Sequence, residues 1–204
     1  IRDSCYNNSA AVTPAGGRPT LASYAISEIC AQAIYDHGEE AAAAVLASQN
    51  SEAVEKIVEA NTLLSGIGFE SGGLAMAHPL ALAYTRIDRV HDTYLHGEIV
   101  AISTMAQLFL EQSSDLEKAT RFFARVGLPV HLGQLSMSPD DSTELDVLTE
   151  VTLANPSVRH MPVTISQDLI RASILGAHEF GLKIAEEIGD EAYRRLHSLS
   201  LIHI

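Results

Sequence analysis

Residues 64–100 read LSGIGFESGGLAMAHPLALAYTRIDRVHDTYLHGEIV. Apolar and small residues recur here at helical spacing, without the strict alternation of a half-buried strand. Gly73 to Tyr84 reads as a helix bearing His78, with Pro79 inside it removing one donor and so kinking the helix or shifting its start. Arg86 to Leu95 reads as a charged connection, with His91 and Asp92 on the surface. Gly97 to Gln112 reads as the next helix, its apolar face made by Ile99, Val100, Ile102, Met105, Leu108 and Phe109. His78 therefore lies in an apolar, alanine-rich segment, and His96 stands at a helix start, where the positive end of the dipole favours its neutral form.

The two histidines are 18 residues apart, too far for ligation from one helix, so they meet only if two elements bring them together. A neutral imidazole against an apolar wall suits a metal with an open coordination position. The competing reading is ordinary: nine histidines give many pairs, and a lone His among apolar residues is as a rule a satisfied core residue. Asp92 and His96, four apart, are read as a chance pair.

Outward from this stretch the pattern stays helical. Residues 1–14 are mostly polar, a helix remnant and a loop. Gly16-Gly17-Arg18-Pro19 is a turn and Thr20 an N-cap, opening a helix over Leu21–Asp36 that Gly38 interrupts before a second, Glu39–Ser48. Ser51 caps the next, with Val54, Ile57, Val58 and Leu63 toward the core and Gly66 and Gly68 marking its end. The glycines at 66, 68, 72 and 73 are not a phosphate-cradling loop, because a helical pattern rather than a strand precedes them. Ser113–Val126, Asp140–Ala154 and a long helix capped by Thr164 or Ser166 follow. The last buries Leu169, Ile170, Ala172, Ile174, Leu175 and Phe180. The expected fold is all-α, a bundle of seven to nine helices without a parallel sheet.

Composition narrows the function classes. At 204 residues the chain suffices for one large domain burying roughly 70% of its unfolded surface. A net charge of −13 disfavours nucleic acid and anionic membranes as partners. No membrane-length apolar run or secretory pattern occurs, which places the chain in the cytoplasm. Cys5 and Cys30 form no CxxC pair, and reduced thiols are the default.

Phe69-Glu70-Ser71-Gly72-Gly73-Leu74-Ala75-Met76-Ala77-His78, followed by Leu95-His96-Gly97-Glu98, closely resembles the glycerol dehydrogenases of the iron- or zinc-dependent polyol dehydrogenase family. Gly16-Gly17-Arg18-Pro19-Thr20-Leu21, Glu59-Ala60-Asn61-Thr62-Leu63-Leu64-Ser65-Gly66, Gly127-Leu128-Pro129-Val130 with Leu135, and Met161-Pro162-Val163-Thr164 extend the resemblance over Ser4 to Ala185. It implies that His78 and His96 bind the catalytic metal, zinc or another divalent ion, and that Phe69 lines the substrate pocket. The family oxidises glycerol with NAD, so a small polyol is the implied substrate and a homo-oligomer the implied parent.

The family's nucleotide-binding domain has no counterpart here. Its third metal ligand, an aspartate in a GMGDALAT-like string, lies upstream of where Ile1 aligns. Residues 1–197 are accordingly read as the helical, metal- and substrate-binding domain of a larger parent, inactive alone. Residues 198–204 depart from the family and look like a non-native or frayed tail. The alternatives are another metal-dependent member of the superfamily, including a dehydroquinate synthase-like protein, whose GHxxGHAxE-like string is not found, and a non-catalytic helical interaction module.

Overall fold

The computed structural model describes residues 11–200, with side chains to residue 198. The expected helix remnant, apart from its last few residues, falls outside that range, as do Cys5 and most of the proposed tail. Every regular element among the described residues is helical, and no strand occurs. None of these helices is long and apolar enough to cross a membrane. The chain forms two compact units, residues 1–75 with 159–163, and residues 76–158 with 164–204.

In the first unit, α1 spans Leu21–Leu46. The Thr20 hydroxyl accepts the Ser23 amide proton, and the Thr20 amide donates back to the Ser23 hydroxyl, so two orphan donors of the first turn are satisfied. The expected break at Gly38 does not occur. A glycine inside a helix costs about 1 kcal/mol relative to alanine, which 26 residues rich in alanine absorb.

Helix α2, Glu52–Glu59, is capped by Ser51 as expected. It passes through a π-helical turn, Ala60–Leu64, into α3, Ser65–Gly72. All three segments pack on α1. Ala53 and Ala60 are buried there, whereas Val58 and Leu63 are about half exposed, contrary to the expected core face. Leu63 lies within the wider π turn, which shifts residues out of α-helical phase; Val58 precedes it, and the buried positions of this run are small side chains instead.

Gly66 and Gly68 do not end this run. Gly68 lies inside α3, where a Cβ would stand 2.9 Å from the Ser27 hydroxyl of α1, so its role is close helix approach. Termination falls to Gly73, at φ 82°, a conformation that side-chain-bearing residues avoid.

The second unit is built around α6, His96–Leu110, which packs against α4 (Ala77–Tyr84), α7 (Asp115–Val126) and α9 (Gln167–Ile188). Helix α8, Ser142–Ala154, packs on α4 and α9. Two shorter helices, α5 (Asp88–Thr93) and α10 (Glu191–Ser200), complete it. The ten α-helices of the described residues exceed the seven to nine expected, because α5 is too short to show a period, α2 and α3 read as one and α10 follows the last expected helix, which outweighs the joining of two expected helices into α1.

Gly127, at φ 89°, ends α7, Asp141 caps α8 and Ser166 caps α9. The buried stripe of α9 is Ile170, Ser173, Ile174, Ala177, His178, Gly181 and Ile184, so Leu169 and Ala172 face outward rather than inward. The stripe is narrow in volume because backbone comes close. A Cβ at Gly181 would sit 1.7 Å from the Val130 carbonyl oxygen, and one at Gly176 would enter the Phe109 ring.

Candidate metal centre

Two helix starts in the second unit meet. After the bend at Gly73, α4 begins at Ala77 rather than at Gly73 as expected. Its first amide, of Ala77, donates to Gln107 Oε1 on α6 at 2.8 Å. Pro79 is thereby the third residue of the helix, where no intrahelical donor is required. The expected kink is replaced by the other outcome, a shifted start. His78 occupies the first turn of α4, and His96 is the first residue of α6.

The rings of His78 and His96 lie 5.9 Å apart, centroid to centroid, and are tilted by 58°. Two imidazoles at a tetrahedral angle on one zinc, with Zn–N of about 2.0–2.1 Å, hold their ring centres about 5 Å apart. The spacing here is within about 1 Å of that, close enough for the pair to converge on one divalent ion. His78 is half-buried and His96 exposed. Burial holds the His78 ring below the usual histidine range, and the neighbouring His96 adds to this. Both causes favour the neutral imidazole, the form that ligates.

Each ring stands at the positive end of a helix dipole, and imidazoles bring no negative charge. A dication there needs a carboxylate. Among the described residues no group of three His, Cys, Asp or Glu is arranged to hold a metal, so an ion on this pair would need a further ligand from outside them. Glu98, the nearest acid in sequence, is already engaged. It is 6% exposed; its Oε2 accepts the Leu95 amide proton at 2.7 Å, and its Oε1 meets His197 Nε2 at 3.1 Å. Its task is to cap α6. Sequence reasoning gave Glu98 no role, although a Glu three residues after Leu95 is the acid half of a capping box.

The other candidates separate cleanly. His91 and Asp92 are exposed as expected, and contact each other at 3.0 Å. Phe69 lies half-buried on α3 of the first unit, and its assignment to a substrate wall rests on the resemblance alone. His160, in the first unit, directs Nδ1 at the Leu74 carbonyl at 2.6 Å and accepts the Val12 amide proton at Nε2. It stitches residues 159–163 to the chain just before Ala75.

A second histidine pair, His131 and His178, was not anticipated. Its rings are 6.1 Å apart at 60°, a geometry much like that of the first pair. Here, however, His178 is 7% exposed and its Nδ1 accepts the Leu132 amide proton at 3.2 Å. One ring is thus consumed in holding backbone, as a core histidine is.

No protein-family model matches the chain. It is 38% identical over 174 residues to a glycolaldehyde reductase of Halobacterium salinarum, covering 84% of this chain and 47% of that protein. It is 37% identical over 181 residues to a glycerol dehydrogenase of Citrobacter freundii, covering 87% and 49%. Among solved structures, a probable glycerol dehydrogenase from Sinorhizobium meliloti superposes with a TM-score of 0.79 at 36% identity, over 84% of this chain and 49% of that one. The glycerol dehydrogenase of Schizosaccharomyces pombe gives 0.81 at 32% identity, over 87% and 46%. The chain spans about half the length of the curated relatives it matches.

Proposed function

The chain is a homologue of the glycerol dehydrogenases, matching about half of their length, and from that premise we propose that it supplies metal ligands to an NAD-dependent oxidoreductase acting on a small polyol such as glycerol. The observation that carries this reading is the meeting of His78 and His96 at two helix starts, 5.9 Å apart, despite their separation in sequence.

In this reading His78 and His96 each give one ring nitrogen to a zinc ion, and a carboxylate from outside the described residues completes the set. When bound, such an ion supplies Lewis-acid polarisation of an alcohol oxygen. The chain's own residues supply placement. Gln107 fixes the start of α4 and hence the backbone of His78. Glu98 fixes the start of α6 and hence that of His96. The chain around His78 is apolar and buried at Met76, Leu80 and Ala81, and His78 itself is half-buried. NAD enters only as the hydride acceptor that a dehydrogenase of this class requires.

A cytoplasmic, homo-oligomeric parent completes the proposal. Leu21, Ile29, Val45 and Val58 of the first unit are exposed and would be among the apolar side chains such an assembly could cover. A polyol rather than a nucleic acid as substrate agrees with the net charge of −13.

The test is calorimetric titration of the chain with zinc chloride. His78→Ala and His96→Ala should each remove most of the binding, and His91→Ala should leave it. Equal affinity in the wild type and the double variant would remove the metal reading and leave a helical interaction module in its place.

A further inference from the structure

His197 lies on α10, about a hundred residues beyond the HGE triplet, yet it reaches the acid of that triplet. Its Nε2 is 3.1 Å from Glu98 Oε1 and its Nδ1 is 3.0 Å from the Tyr193 carbonyl. Each partner presents an oxygen acceptor to one of the ring nitrogens. Its ring is stacked at 4.0 Å on Tyr193 and lies 5.8 Å from Tyr94. Tyr193 in turn donates to the Gln134 carbonyl, and Tyr94 bonds the Ser136 hydroxyl at 2.9 Å. The imidazole is therefore held from three sides and aimed at one carboxylate.

That carboxylate is the cap of α6. With one oxygen on the Leu95 amide and the other on His197, Glu98 has both acceptor atoms engaged while nearly buried. Without His197, one oxygen of a buried carboxylate loses its donor, a costly state that favours rotation or release of the side chain. The Leu95 amide would then lose its acceptor, and the first turn of α6, which begins at His96, would loosen. Resting on the reading that His96 is a metal ligand, we infer that His197 is a positioning residue for it, acting through Glu98. The terminal helix thus sets the orientation of a ligand it does not touch.

The inference is tested on the 204-residue chain by amide hydrogen exchange and zinc titration together. His197→Ala should speed exchange at the Leu95 amide about tenfold while leaving that of Leu148, in the core of α8, unchanged. Zinc affinity should fall several-fold with an unchanged stoichiometry. His197→Gln, which keeps a donor directed at Glu98, should recover part of both. In a Glu98→Ala background, His197→Ala should add no further loss of zinc affinity, because its route is already gone. Leu95 exchange equal to wild type in His197→Ala would overturn the inference, and so would faster exchange with unaltered zinc affinity. A wild-type chain that takes up no zinc would instead sink the metal reading and with it any positioning of a ligand. The Leu95 rate would still show whether His197 holds Glu98.

Discussion

Gln107 Oε1 accepts the amide proton of Ala77 across 30 residues of sequence, at 2.8 Å. This bond joins the body of α6 to the first residue of α4. One side chain therefore links the two helices whose starts carry His78 and His96.

Replacing Gln107 tests that link. Gln107→Ala leaves the Ala77 donor without its acceptor and should cost about 1–2 kcal/mol of stability, with a loss of zinc affinity as His78 is freed. Gln107→Glu keeps an acceptor oxygen for Ala77 but loses the donation of Nε2 to Glu111 Oε1 at 3.1 Å and adds a like charge beside it, so it should recover only part of both. Thermal unfolding and calorimetry on the two variants check this; equal losses in both would show that the acceptor is not what matters.

Two glycines should respond in opposite ways. At Gly181 a Cβ would lie 1.7 Å from a backbone oxygen, an overlap no side-chain movement relieves, so Gly181→Ala should cost about 3 kcal/mol or more or prevent folding. At Gly97, within the HGE triplet, a Cβ meets nothing within 4 Å. Gly97→Ala should be neutral or stabilising by up to about 1 kcal/mol. Chemical denaturation of both variants provides the comparison, and a severe loss at Gly97 would mean its surroundings are misjudged.

Acid should weaken the fold through the second histidine pair. Burial holds His131 and His178 below the ordinary value of 6.5; at His131, Asp190 opposes this and His178 adds to it, and at His178, Glu179 opposes it. In the folded chain both rings bind protons less readily than in the unfolded chain, so below that value the unfolded state holds more protons and stability rises with pH. The contribution is present in full above about pH 6.5 and is lost as pH falls toward the depressed folded values. His131→Asn should therefore show a smaller drop in unfolding midpoint than wild type between about pH 7.5 and 5.5. The difference between the two proteins is the readout, since acid also relieves part of the repulsion in a chain of net charge −13. An identical pH dependence would contradict the assignment.

What could be read in the sequence was mostly local chemistry. Thr20, Ser51 and Ser166 cap helices as expected, each accepting a backbone proton three residues on, because capping depends on a few neighbouring residues. The uninterrupted α1 was not legible, since a glycine's local cost says nothing about what the rest of a long helix absorbs. Nor was the exposure of Leu63, which sits in a π turn that leaves no mark in apolar spacing, or of Val58, whose place in the contact is taken by small side chains. The buried stripe of α9 was misplaced because Gly176 and Gly181 pack by lacking a side chain, which a pattern of large apolar residues cannot register. The meeting of His78 and His96 became an expectation only through the resemblance, because 18 residues of intervening chain fix no distance. Glu98 and His197 went unseen for a similar reason: a cap held from α10 is a tertiary fact.

The claim that His78 and His96 share one ion is tested most directly by following histidine ring proton resonances while zinc is added. Both rings should shift together, reaching their end points at one equivalent of zinc, while those of His91, His131 and His178 stay in place. If His78 and His96 do not move, or move independently with different saturation points, they do not form a common site.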